Sequence, residues 1–245
     1  MKKLLFLFPH PDDESFACAG TLAKYHEAGE ETYLVCATSG CKGKSGPFQF
    51  TCREELASHR EQELRQAASI LGITETFLYR YPDGSLADQD FAKLTGRIAE
   101  TLLAVKPNVV VTFPPDGVTG HPDHITLSKA TVQAVLQVEP MLHPEHYSDF
   151  YFVSIPHYYD HCQDKGPQAA VPITGKVDIS PYRQTKGEAL RAHQSQAYSL
   201  NRAYPGVLEG DFSVIGNYEY YTLVRSKGKP VDPQVCAQGI RIIEL

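Results

Sequence analysis

Two short clusters of histidine and acid carry the chemistry open to this chain. The first is Pro9-His10-Pro11-Asp12-Asp13-Glu14, directly after the apolar run Leu4 to Phe8. The second is His121-Pro122-Asp123-His124, which follows the apolar run Val109 to Phe113. In the first cluster His10 and Asp13, three residues apart, can reach one divalent cation, and Asp12 is left to act as a base. The second adds the imidazoles of His121 and His124, and the turn Pro82-Asp83-Gly84 adds the carboxylate of Asp83. A His, Asp, His ligand set without thiolates leaves room for water, which is the catalytic zinc pattern, with iron(II) as an alternative occupant. Taken singly, each cluster is also a good helix start. Proline suits the first turn, and acids suit the positive end of the helix dipole. Their joint occurrence, each after a strong strand signal, is what points to a site.

Such groups need strand ends to position them. Leu4 to Phe8 reads as a buried strand of a parallel sheet, since apolar side chains face both sides. A helix over Glu14 to Ala28 follows, stopped by Gly29, and then a β-branched and aromatic strand over Glu31 to Thr38. Ser39 to Thr51 reads as a loop. The spacing of Leu56, Leu64, Ala67, Ala68 and Leu71 predicts a helix over Arg53 to Leu71, ended by Gly72. Thr76 to Tyr79 is a short strand, Ala87 to Val105 a helix, and Val109 to Phe113 the clearest buried strand. A further helix runs to about Val138, and a strand covers Asp149 to Ile155. This alternation predicts right-handed βαβ crossovers in a mostly parallel sheet flanked by helices, whose ligands collect at the carboxyl ends of the strands. Beyond Pro156 the texture changes to short segments, many tyrosines and one helix over Tyr182 to Gln196. We therefore expect a core over 1–156 and a small β-rich lobe over 157–245, with Tyr158-Tyr159 and Tyr218-Tyr220-Tyr221 packing that lobe or stacking on a ligand.

Bulk properties exclude several classes. The 245 residues carry a net charge of −6, so no nucleic-acid footprint is expected. Six cysteines are scattered without a paired spacing, which fits a reducing compartment. The apolar run after Met1-Lys2-Lys3 stops at Pro9, short of a secretory signal core, and no stretch approaches the ~20 apolar residues of a membrane span. A cytoplasmic location is expected. No glycine-rich dinucleotide fingerprint follows the first strand, which argues against an oxidoreductase of that kind.

The two histidine clusters together resemble the LmbE-like, PIG-L family of zinc-dependent de-N-acetylases. Arg60-Glu61 with Glu63, Pro82-Asp83-Gly84, and Lys186 to Gln196 with His193 are similar to other parts of that family's pattern, so that the resemblance covers residues 1 to roughly 225. It implies a Rossmann-like core that holds zinc through His10, Asp13 and His124, with Asp12 as general base. It implies that His121 stabilises the oxyanion or protonates the departing amine, with Asp123 orienting its ring. Arg60 and Asp83 would contact the sugar or its attached group, against the plainer readings of a surface arginine and a turn aspartate. His193 would reach the site, meet a neighbouring subunit or lie on the surface, and Glu14 is read as a helix-start charge. The implied partner is a small N-acetylglucosaminyl conjugate, and the implied assembly a homo-oligomer. Two rival readings are an amidase acting on a non-acetyl amide and a sugar-binding module without catalysis. The second needs neither Asp12 nor His121.

Overall fold

The computed structural model describes residues 1–155, 171–233 and 240–245. Its strands are β1 (Lys3–Phe8), β2 (Glu31–Thr38), β3 (Glu75–Tyr81), β4 (Val109–Thr112), β5 (Asp149–Ser154), β6 (Gly175–Asp178), β7 (Tyr218–Ser226), β8 (Lys229–Pro230) and β9 (Arg241–Ile242). They form one sheet in the order β3-β2-β1-β4-β5-β7-β6-β9, with β8 paired to β7. β1 and β4, β4 and β5, and β2 and β3 run parallel, and the first antiparallel step is β5 to β7. The order β3-β2-β1-β4-β5 is one Rossmann-type winding, and β6 to β9 form the smaller β-rich carboxyl-terminal region. The α-helices of the described residues are α1 (Asp13–Glu27), α2 (Arg53–Leu71), α3 (Phe91–Val105), α4 (Pro122–Val138), α5 (Arg183–Ala192) and α6 (Ala197–Ala203). No described helix is long and apolar enough to cross a membrane.

The chain divides into two compact units, interleaved in sequence. One comprises Met1–Leu7, Ser85–Val177 and Tyr220–Leu245. Its centre is the parallel register of β1 on β4, Leu4 opposite Val109 through Leu7 opposite Thr112, and all eight of these side chains are buried. Burial on both faces is what an unbroken apolar run demands. Helix α4 packs on β4 and on α3, and Leu94, Ile98 and Leu102 of α3 and Leu127, Ala130 and Ala134 of α4 are buried. Asp90 caps α3 by accepting the Lys93 N–H at 3.1 Å, so the helix expected from Ala87 begins at Phe91. Tyr221, named above as a stacking candidate, is fully buried edge-on to Tyr151. Tyr158, Tyr159 and the expected boundary at 156 lie outside the described residues.

The other unit comprises Phe8–Gly84 and Asp178–Glu219. Helices α1, α2 and α5 pack together around a buried ion pair, Lys186 Nζ to Glu219 Oε1 at 2.7 Å. Glu219 also accepts the main-chain N–H groups of Gly20 and Thr21 and the Thr21 hydroxyl, while Lys186 donates to the Phe16 carbonyl. Burial works against the lysine charge, but the Glu219 carboxylate outweighs it and holds Lys186 above its ordinary range. Glu219→Ala should therefore cost about 3–5 kcal/mol in a urea unfolding curve, because a buried ammonium and two amides lose their acceptor. A loss under ~1 kcal/mol would show that water replaces the carboxylate there.

The helix expected over Tyr182 to Gln196 is broken at His193, whose φ of −90° and ψ of 52° leave the helical region. The reason is tertiary. His193 Nε2 bonds Glu14 Oε1 at 2.8 Å, and the Ser195 N–H and hydroxyl bond Glu63 at 2.7 and 2.5 Å. A continuous helix could not aim both residues at those acids.

Candidate active site

The main chain leaves β1 at Phe8, turns through Pro9 to Pro11 and enters α1. His10 stands there between two carboxylates. Its Nδ1 lies 3.4 Å from Asp13 Oδ2, and its Nε2 lies 3.2 Å from Asp83 Oδ1. The same Asp13 oxygen accepts the His10 main-chain N–H at 2.9 Å. Burial opposes ionisation of Asp83, but the His10 hydrogen bond and charge, the Lys42 N–H and Arg60 prevail and pull its pKa down to about 2. The Lys42 N–H bond to Asp83 Oδ2, 2.6 Å long, fastens the 40–52 loop to this turn. Asp83 thus belongs with the histidine–carboxylate cluster.

Asp12 forms the N-cap of α1 at φ 113°, a left-handed conformation that a non-glycine residue adopts only under constraint. Its carbonyl accepts the Ser15 and Phe16 N–H groups, its own N–H donates to Glu14 Oε2 at 3.1 Å, and its carboxylate lies 3.3 Å from Arg60 Nη2. Burial raises its pKa to about 7, against Arg60 and together with the neighbouring charge of Asp13. A divalent cation beside it would favour the ionised form.

Arg60 and His193, expected at the substrate, are 3% and 0% exposed. Arg60 donates from Nη1 to the Gly40 carbonyl at 2.8 Å and from Nη2 to the Pro11 carbonyl, so it braces the turn that carries Asp12. His193 meets Glu14. Burial alone would lower the His193 pKa, and the Glu14 charge and hydrogen bond raise it.

In the first unit, β4 ends at Thr112, beside Leu7 of β1, and the chain runs through Phe113 to Gly120 into α4. The two histidine clusters therefore leave the sheet from the ends of neighbouring parallel strands, where ligands of such sheets collect. His121 is the N-cap of α4, and its Nδ1 accepts the Asp123 main-chain N–H at 3.1 Å. That amide can only donate, so Nδ1 carries the lone pair and the neutral ring holds its proton on Nε2. His124 is fixed the opposite way. Its Nδ1 faces the Gly117 carbonyl at 3.0 Å, which can only accept, so Nδ1 holds the proton and Nε2 the lone pair. The ring stacks on Phe113 with centroids 4.4 Å apart. Gly117 has φ 68°, and a β-carbon there would come within 2.6 Å of His124 Cβ, so only glycine brings its carbonyl to this ring. The Asp123 carboxylate is fully buried and accepts the Leu86 N–H at 2.9 Å, so its main-chain N–H makes the contact that orients His121.

The described side chains that offer ligand atoms to a metal ion include His10 and Asp83 in one unit and His121, Asp123 and His124 in the other. Imidazole nitrogens and carboxylate oxygens of this kind are a donor set that suits a divalent metal. The set fits zinc, since it holds nitrogen and oxygen donors, and the Gly117 carbonyl gives His124 the outer partner that metal-bound imidazoles usually have.

Sequence reasoning took Glu14 for a helix-start charge and gave Glu63 no role of its own. Glu14 is 1% exposed and binds Asp12, Ser15 and His193, and Glu63 is 5% exposed and holds Ser195. A signal was present for Glu14. It falls in helical register with Cys18, Leu22 and Tyr25 on the buried side of α1, where a charge needs a partner.

The family model described as PIG-L, GlcNAc-PI de-N-acetylase, matches residues 5–135. A probable N-acetyl-alpha-D-glucosaminyl L-malate deacetylase 2 of Bacillus anthracis is 33% identical over 196 residues, covering 80% of this chain and 81% of the relative. A 1D-myo-inositol 2-acetamido-2-deoxy-alpha-D-glucopyranoside deacetylase of Saccharomonospora viridis is 32% identical over 231 residues, covering 79% and 84%. Among solved structures, the conserved protein TT1542 of Thermus thermophilus superposes with a TM-score of 0.65 at 26% identity, covering 94% of this chain and 96% of that one.

Proposed function

We propose, because this chain belongs to the PIG-L family of GlcNAc-PI de-N-acetylases, that it hydrolyses the acetamide of an N-acetylglucosaminyl conjugate to acetate and the free amine. The observation that carries the reading is the pair of histidines held in opposite tautomers three residues apart. One ring then has a lone pair for a metal and the other an N–H for the substrate. In this reading His10, Asp13 and His124 hold zinc, with Asp83 packed against His10. Bound zinc would supply a Lewis acid for the acetamide carbonyl and lower the pKa of water toward 7.

The chain's own groups account for the remaining demands. The Asp12 carboxylate, set by its strained cap and by Arg60, accepts the proton released as water attacks the carbonyl carbon. The His121 Nε2–H points a donor at the oxygen on which charge develops. As the C–N bond breaks, the nitrogen must gain a proton, and Asp12 returns the one it took from water. Arg60 and His193 support this centre from beneath. By their names, one relative is a probable deacetylase of GlcNAc joined to malate and another a deacetylase of GlcNAc joined to myo-inositol, and these are the first aglycones to test.

Acetate release from a panel of N-acetylglucosaminides with anionic, neutral and sugar aglycones is the deciding experiment. We expect at least one member to be turned over with stoichiometric zinc. Inactivity across the panel together with cleavage of other amides would establish the amidase in its place. Binding without any cleavage would establish the sugar-binding module.

A further inference from the structure

We propose that Glu14 and His193 are a positioning pair that holds Asp12 in its left-handed conformation and so sets the aim of its carboxylate. The inference rests on the reading of Asp12 as general base and extends the working centre to two buried residues that touch neither metal nor substrate. Asp12 has φ 113°, a conformation that costs of order 1–3 kcal/mol and persists only where surrounding contacts impose it. Its carbonyl is tied down by Ser15 and Phe16 of α1, and its N–H is tied down by Glu14 Oε2 at 3.1 Å. Glu14 is therefore the side chain that fixes the peptide preceding the base.

Glu14 is itself held by two donors on its other oxygen, the Ser15 hydroxyl at 2.6 Å and His193 Nε2 at 2.8 Å. His193 is wholly buried, and its Nδ1 makes no hydrogen bond among the described residues, so Glu14 is the polar partner that keeps the ring in place. The cost is visible in the backbone. Helix α5 stops so that His193 can face Glu14, and Ser195 is anchored to Glu63 two residues later. A packing role alone would be met by an apolar side chain within a continuous helix. A buried carboxylate with one arm on the strained residue and the other on an imidazole is built to transmit position.

The test compares His193→Leu, which removes the donor, with His193→Gln, whose amide can still reach Glu14. Steady-state kinetics, zinc content and amide hydrogen exchange at Asp12 by NMR are measured on the full chain. We expect His193→Leu to lower kcat by roughly 10-fold through displacement of the base, with KM and zinc content unchanged. Exchange at the Asp12 amide should quicken in the same variant, and His193→Gln should recover most of both effects. Glu14→Ala should show the larger loss; should it not fold, the His193 pair decides alone. The proposal is overturned if Asp12 exchange is unchanged, if the loss appears in KM or zinc content instead of kcat, or if glutamine is no better than leucine. If the unaltered protein releases no acetate from any conjugate, the general-base reading fails, and the exchange comparison still accepts or rejects the positioning pair.

Discussion

Asp12→Asn is expected to lower deacetylation by at least ~10²-fold, the span that follows loss of a general base, and to leave the metal content unchanged. Asparagine is the informative replacement because it has the same shape and tolerates left-handed backbone better than other non-glycine residues. The cap at φ 113° and the contact with Glu14 through the main-chain N–H can therefore survive the change. What disappears is the capacity to take a proton and the charge facing Arg60, 3.3 Å away. His10, Asp13 and His124 are untouched, so metal analysis should return the same zinc stoichiometry. Turnover close to that of the unaltered protein would remove Asp12 from its role.

His124→Ala should abolish stoichiometric zinc, measured by metal analysis after dialysis. The effect should exceed the ~10–100-fold loss of affinity that follows removal of an outer partner, since a ligand itself is lost. His121→Ala is the control. The two rings lie three residues apart on one helix turn, with centroids 5.2 Å from each other, yet their partners force opposite tautomers. To ligate through Nε2, His121 would have to carry its proton on Nδ1, directly against the Asp123 N–H. His121→Ala should therefore keep the metal and lose rate. Zinc lost from the His121 variant and retained by the His124 variant would reverse the assignment.

Much of this molecule is legible in local pattern. The run Leu4 to Phe8 demanded burial on both faces, and it is a central strand with 0% exposure throughout. Gly72 ends α2 in the left-handed conformation, as a glycine after a periodic helix should. The order of strands and helices up to residue 155 followed from period and punctuation, because these signals act within a few residues. The break at His193 was invisible for the converse reason. Nothing from His193 to Gln196 marks a helix stop, and the contacts that end it come from Glu14 and Glu63, more than a hundred residues away.

The same division applies to the site. By type and spacing alone, the sequence singles out His10, Asp12, Asp13, His121 and His124 as the candidate chemical groups, since few other patterns place imidazole and carboxylate after two buried strands. Only the tertiary structure decided how each is held. It set the tautomers through the Gly117 carbonyl and the Asp123 N–H, turned Asp83 onto His10, and placed Arg60 beneath Asp12. It also made Glu14 a buried partner of His193 where the sequence offered a helix-start charge. Hydrogen-bond direction and burial depend on atoms brought together from distant segments, and residue spacing carries no record of them.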